Sequence, residues 1–289
     1  MIPAGFDYHA PRTVPDALRL LGELGSEAKL MAGGHSLLPM MKLRFAEPRH
    51  LIDLGRIESL RGIAQAGSEI RIGAMTTEHE ILGSALLAEK LPLLVEGAGS
   101  IADPQVRYKG TIGGDIAHGD PGNDHPPLML ALDASFVLEG PKGERVVPAD
   151  AFFLGLYATA AQADEILVQV RIPVPPPGSG GSYQKLKRKT GDFATAATAV
   201  LLQVTGGQVT RASIALTNVG ATALKATAAA ASLQGKAVDD ASVEEAARLA
   251  MDICDPLPDL RGDADYKRAM CGEMTRRAIR TAAARAQGK

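Results

Sequence analysis

Two pairs of adjacent glycines carry the first chemical signal in this sequence. One lies in Ala32-Gly33-Gly34-His35-Ser36, directly after an apolar stretch, and the other in Thr111-Ile112-Gly113-Gly114-Asp115. A glycine pair lets backbone approach a ligand closely and reach φ > 0, so successive N–H groups can line an anion site. Ser36 can add a hydroxyl and start a helix over residues 37–43, directing its dipole at the same anion. A diphosphate suits such a site, because each charge-assisted hydrogen bond contributes roughly 1.5–3 kcal/mol. Either pair alone reads as a tight turn. Two of them, with His35 and Asp115 as their polar members, point to one shared ligand.

Other candidates are weaker. His118, Asp120, Asp124 and His125 crowd one stretch, but their spacing matches no standard zinc pattern, so they read as hydrogen-bonding residues rather than a metal site. Asp124 is suited to accept from ribose hydroxyls. Tyr183, Lys185 and Lys187 alternate onto one face of a strand. There Lys185 serves equally well as a solvated lysine or as the neighbour of an anionic ring or phosphate. Residues 97–102 fit the dinucleotide pattern G-x-G-x-x-A, yet they follow a helix-like run and leave no room for the helix that motif needs.

These residues need elements to hold them. The N-terminal part alternates helix-like stretches (15–24, 84–98) with short strands (29–32, 50–54, 69–73). From 101 to 127 periodicity vanishes and Gly, Asp, His and Pro dominate, which reads as one long functional loop. A helix-like segment at 128–132 and strands at 135–138, 145–147 and 166–172 follow. The run from Pro173 to Gly181, proline-stiffened and then glycine-loosened, marks a domain boundary between residues 1–176 and 177–289. Beyond it come strands at 182–189, 197–204 and 210–219, then helices at 222–233, 242–252 and 263–286. The fold class is α+β. The last helix carries Arg268, Arg276, Arg277, Arg280 and Arg285, which read as a solvated face.

Composition narrows the classes. Thirty-one Lys and Arg against 33 Asp and Glu leave a net charge of −2, which argues against a nucleic-acid binder. With 46% hydrophobic and 22% charged residues the chain is globular. No apolar run approaches the roughly 20 residues of a membrane span, and the N-terminus lacks a signal-peptide layout, so a cytoplasmic protein is expected. The two cysteines, Cys254 and Cys271, cannot supply the usual four thiolates of an iron–sulfur cluster.

Four segments then define a resemblance: AGGHSLLPMMKLR at 32–44, IGAMTT at 72–77, IADPQVRYKGTIGGDIAHGDPGNDHP at 101–126 and KLKRKTGDFATAA at 185–197. In this order the chain resembles the FAD-binding medium subunits of the xanthine dehydrogenase family of molybdenum hydroxylases, nearest to the carbon monoxide dehydrogenase branch. The resemblance implies a two-subdomain FAD-binding domain of the vanillyl-alcohol-oxidase (PCMH) type, then a domain of three-stranded antiparallel sheet and helices. It implies that Ala32, Gly33, Gly34, His35 and Ser36 hold the FAD pyrophosphate together with Thr111, Ile112, Gly113, Gly114 and Asp115. Asp124 would meet the adenosine part and Lys185 would lie near the flavin. No residue of this chain would be a catalytic acid or base. The implied partners are a small iron–sulfur subunit, a large molybdopterin subunit and an external electron acceptor, assembled as a dimer of heterotrimers. Asp115 departs from the Asn of many relatives, and Phe193 from the Tyr of close ones. The rival readings are a free-standing oxidase with FAD linked covalently through His35, and a non-redox module holding another nucleotide.

Overall fold

The computed structural model describes residues 1–288. Near the N-terminus, strands Asp7–His9, His50–Asp53 and Ala28–Met31 form a parallel sheet in that spatial order. Helix Val14–Leu24 covers it. Thr13 caps the helix by accepting from the Asp16 N–H, a proline occupies its first turn, and Val14, Ala17 and Leu21 are buried. An antiparallel five-stranded sheet follows, ordered Ile63–Ala66, Glu69–Gly73, Ile166–Pro173, Ser135–Gly140, Gly143–Pro148. Asp7–His9 and Ile63–Ala66 are absent from the sequence reading because three or four partly polar residues show no clear period.

Two expectations are corrected between the sheets. The single helix expected at 84–98 is two, Ala85–Lys90 and Pro92–Ser100, broken at Leu91 with φ −136°. Pro92 has no N–H to continue the first helix and biases the residue before it toward extended backbone. The irregular loop expected at 101–127 holds helices Pro104–Arg107 and Ile112–His118 and the start of His125–Ala131. These helices run only four to seven residues, too short for a 3.6-residue period. Their caps are nonetheless explicit, since the Asp103 and Thr111 side chains accept from the Val106 and Gly114 N–H groups.

The run from Pro173 to Gly181 is also not loose. Gly180 and Gly181 sit in strand Ser179–Leu186, paired with Leu202 and Leu201. A Cβ on Gly180 would lie 2.2 Å from Ala282 O, and one on Gly181 2.9 Å from Leu93 Cβ. Glycine here permits close packing. That strand begins a second antiparallel sheet, continued by Ala196–Thr205, Gln208–Thr217 and the two-residue Leu224–Lys225, so a short fourth strand joins the three expected. Helices Thr227–Leu233, Asp240–Asp252 and Ala264–Ala286 pack on it. One apolar core runs across the boundary, joining Ile72, Leu94, Ile116 and Leu128 with Tyr183, Ala197, Ala199 and Ala215. At roughly 25 cal/mol per Å2 of buried apolar surface, this shared core fixes the second sheet against helices Pro92–Ser100 and His125–Ala131.

Candidate functional site

Strand Ala28–Met31 delivers the chain into the first glycine turn, and helix Leu37–Lys42, anchored by buried Met41, carries it away. Gly34 has φ +77°, a conformation that strains any residue with a Cβ. Ser36 stands at the N-cap position but makes no side-chain cap bond, and it and His35 are exposed. Among the described residues, the N–H groups of Gly33, Gly34, His35 and Ser36 have no hydrogen-bond partner. The helix spans only six residues, so these N–H groups, more than an axial dipole, make the turn attractive to an anion.

The second glycine pair is built differently. Gly113 and Gly114 are not left-handed; they form the first turn of helix Ile112–His118 behind the Thr111 cap. Every N–H of that turn is already bonded: Ile112 to Thr76 O at 3.0 Å, Gly113 to Ala74 O at 2.9 Å, and Asp115 to Thr111 O at 3.0 Å. Gly114 donates to Thr111 Oγ1 at 3.2 Å. Glycine is required here for space, because a Cβ on Gly113 would lie 2.5 Å from Ala74 Cβ and 2.7 Å from Ala74 O.

The two turns touch. A Cβ on Gly33 would lie 2.2 Å from Lys109 O, and one on Gly114 would lie 3.1 Å from Ala32 Cβ. The structure therefore brings Ala32–Ser36 and Thr111–Asp115 together, from opposite ends of the N-terminal part. This arrangement fits a dinucleotide diphosphate: one turn offers main-chain donors without a partner among the described residues, and the glycines at 33 and 114 let the second turn pack directly against it.

Beside it lies a buried ionic cluster. Asp124 accepts from Tyr183 Oη at 2.5 Å and from Lys185 Nζ at 2.7 Å. The Lys185 and Asp124 side chains are only 3% and 7% exposed. Lys185 also donates to Ser100 O at 3.2 Å. Thus the two residues expected to meet opposite ends of a ligand are bonded to each other and tie strand Ser179–Leu186 to the start of helix His125–Ala131. His125 Nε2 lies 2.9 Å from both carboxylate oxygens of Glu78. Burial alone would lower the His125 imidazole, but the carboxylates of Glu78, Asp115 and Asp124 outweigh it and push it up to about 9. Burial pushes the Asp115 carboxyl up to about 7, with Glu78 and Asp124 adding to the rise against the attraction of His125. Asp115 Oδ1 is enclosed without a hydrogen-bond partner. Its backbone carbonyl accepts from Asn123 Nδ2 at 3.1 Å.

His118, Asp120, Asp124 and His125 do not converge. His118 stacks on Tyr157 with ring centroids 5.1 Å apart, Asp120 accepts from the Gly122 N–H at 2.8 Å, and the other two face the partners just described. Among the described residues no three His, Cys, Asp or Glu are grouped as metal ligands. Glu78 escapes the sequence reading, although the capping box Thr77–Glu80 marked its helix start. The C-terminal arginines pair instead of standing free: Arg276 with Glu244, Arg277 with Glu273, Arg280 with Asp240 and Arg285 with Glu96.

The fold and paired turns are those of a dinucleotide-binding flavoprotein, and the family comparison agrees. The family described as FAD binding domain in molybdopterin dehydrogenase matches residues 4–175, and CO dehydrogenase flavoprotein C-terminal domain matches residues 181–282. The chain belongs to this FAD-binding flavoprotein family of the molybdopterin dehydrogenases. It is 58% identical over 285 residues, 99% of each chain, to the carbon monoxide dehydrogenase medium chain of Hydrogenophaga pseudoflava. It is 52% identical to the corresponding chain of Afipia carboxidovorans, covering 99% of this chain and 100% of that one. A solved carbon monoxide dehydrogenase structure from Hydrogenophaga pseudoflava superposes with a TM-score of 0.97 at 60% identity, covering 99% of both chains. No described helix is long and apolar enough to cross a membrane.

Proposed function

We propose that this chain is the FAD-binding electron-transfer subunit of a carbon monoxide dehydrogenase-type molybdenum hydroxylase, acting in the cytoplasm. The observation that carries the reading is the contact between the two glycine turns, the first of which holds four N–H groups without a partner among the described residues. The N–H groups of Gly33, Gly34, His35 and Ser36 would hold the FAD pyrophosphate, with Ala32 and residues Thr111, Ile112, Gly113, Gly114 and Asp115 packed beside them. Asp124 and Lys185 serve as one bonded unit. Two of the three ammonium protons of Lys185 go to Asp124 and Ser100 O, leaving one for the ligand. When bound, FAD supplies electron transfer from the iron–sulfur clusters of a small partner subunit, fed by a large molybdopterin subunit, to an external acceptor. The chain's own residues would bind and orient it; none acts as acid or base. Residues 1–176 form the FAD-binding unit and 177–289 the unit that closes over it, within a dimer of heterotrimers.

The test is co-expression with the two partner chains, followed by a visible spectrum and carbon monoxide oxidation with and without this chain. One FAD per chain, released into the supernatant by acid, and oxidation to an external acceptor only in the full complex are expected. Substrate turnover by the isolated chain with dioxygen would overturn the subunit reading.

A further inference from the structure

The chain's two cysteines lie far apart from the glycine turns and face each other in the C-terminal part. Cys254 Sγ is 3.6 Å from Cys271 Sγ, and both are free thiols. Cys254 follows helix Asp240–Asp252 and rests on Ala250 O at 3.2 Å. Cys271 sits inside helix Ala264–Ala286. The sulfurs are in van der Waals contact, and forming a disulfide of about 2.05 Å requires them to move together by about 1.5 Å. With no third cysteine in the sequence, neither thiol has a competing partner within the chain.

We infer that Cys254 and Cys271 are an oxidisable dithiol that closes to a disulfide when a hydroperoxide reaches Cys254. The two sulfurs are not equivalent. Cys254 is 6% exposed and Cys271 fully enclosed. Contact with Cys271 lowers the Cys254 thiol, whereas contact with Cys254 and burial push Cys271 well up. Of the two sulfurs, Cys254 is the one with residual exposure, and its chain neighbour Ile253 is exposed. The Cys254 thiolate attacks the peroxide oxygen, breaking the O–O bond and giving a sulfenic acid; the alkoxide or hydroxide released takes up the thiol proton. Cys271 sulfur then attacks Cys254 sulfur, forming the S–S bond, and the sulfenic oxygen leaves as water with the Cys271 proton. Two thiols and one hydroperoxide thus become one disulfide, one alcohol (water, for hydrogen peroxide) and one water.

The bond would staple the intervening segment, which grips the turn beyond strand Ser179–Leu186. Arg261 donates to Asp192 Oδ1 at 2.8 and 3.1 Å and lies 5.6 Å over the Phe193 ring. Leu260 O accepts from Arg188 at 3.2 Å. Oxidation therefore tightens a clip on the turn that bears Phe193.

The full chain, reduced and then treated with stoichiometric hydrogen peroxide, should fall from two titratable thiols to none. Non-reducing peptide maps should join the Cys254 and Cys271 peptides within one chain, and dithiothreitol should restore both thiols. In C271S, Cys254 should stop at a sulfenic acid that dimedone traps; in C254S, Cys271 should stay reduced. Hydrogen exchange across residues 257–262 should slow several-fold in the oxidised chain. Thiols that persist, Cys254 oxidised to sulfinic acid beside an intact Cys271 in the wild type, or disulfides joining two chains would overturn the proposal. Unchanged exchange would overturn the stapling.

Discussion

At Gly33–Ser36 four consecutive N–H groups have no partner among the described residues, whereas at Ile112–Asp115 each N–H is bonded to Ala74, Thr76 or Thr111. The first turn is partly exposed and held by few bonds of its own. The second is pinned to strand Glu69–Gly73 and its extension through Thr76, and it packs on the main core. The difference separates two tasks that similar glycine pairs suggest to be one. Uncommitted donors bind an anion well because no internal bond must break, but they add nothing to the ligand-free fold. Saturated donors make a rigid wall and add stability without offering a hydrogen bond to the ligand. The site joins one of each, so ligand affinity and ligand-free stability should respond to different residues.

The largest effect expected from that division is at Gly113. Its missing Cβ would lie 2.5 Å from Ala74 Cβ and 2.7 Å from Ala74 O, against a strand end that cannot easily shift. Gly113→Val should cost on the order of 3 kcal/mol of ligand-free stability, at the upper end for overpacking. Urea unfolding of the flavin-free chain reads it directly; an unchanged midpoint would mean that the second turn is not structural. Gly33→Val comes next. Its Cβ would meet Lys109 O at 2.2 Å. Here the first turn, with so few bonds of its own, should give way and misplace its donors. FAD affinity should fall about 100-fold, near 3 kcal/mol, or roughly two charge-assisted hydrogen bonds. Ligand-free stability should move by less than about 1 kcal/mol. Equal losses of stability in the two variants would erase the distinction.

Much of this was legible in the sequence, and what was not has identifiable causes. The long elements and the pairing of the two glycine motifs could be read because periodicity and close-approach residues are local signals. Helix 264–286 starts where Asp263 caps it, within one residue of expectation. The second motif read as loop because Thr111 caps a helix of only seven residues, five of them Gly, Ala, Asp or His. Caps, not periodicity, carry such helices, and Thr77 with Glu80 offered the same signal unread. The Asp124–Lys185 bond spans 61 residues of sequence and ties a strand to a helix start, so no local pattern encodes it. Gly180 looked like slack and is a contact point, since a glycine that bends and a glycine that packs are the same letter.

A third, smaller effect tests the wall's electrostatics. Asp115, ordinarily near 3.8, is pushed up to about 7 in the fold, so the folded chain holds a proton that the unfolded chain releases. Stability from this group is complete below about pH 4 and is lost as pH rises through 7. His125, raised from 6.5 to about 9, is stabilising below 6.5 and loses that contribution as pH rises through 9. Both slopes run the same way, in adjoining windows. Asp115→Asn should flatten the lower window, by on the order of 2 kcal/mol after allowing for the partly exposed residue, and leave most of the upper one. It should keep or tighten FAD binding, because a negative charge beside the diphosphate is removed. Unfolding midpoints from pH 4 to 9 for both proteins check the slopes. A wild-type curve that rises across pH 4–7 would overturn the assignment.

The smallest effect belongs to His35, and it sharpens the first turn's role. In the proposed function His35 contributes its backbone N–H, which a substitution to alanine keeps, while its side chain is exposed. His35→Ala should therefore weaken FAD binding by less than tenfold, about 1 kcal/mol or less, and leave ligand-free stability unchanged. Were His35 instead the point of covalent attachment, the wild type would keep its yellow colour in an acid pellet and the variant would lose it. The two turns then predict a graded series. Gly113 governs the fold, Gly33 governs the ligand, and the His35 side chain governs neither, because only main-chain donors at that position face the task. A His35→Ala chain that copurifies with flavin at wild-type stoichiometry, all of it released by acid, would place recognition on the backbone; flavin lost at this position alone would move it to the imidazole.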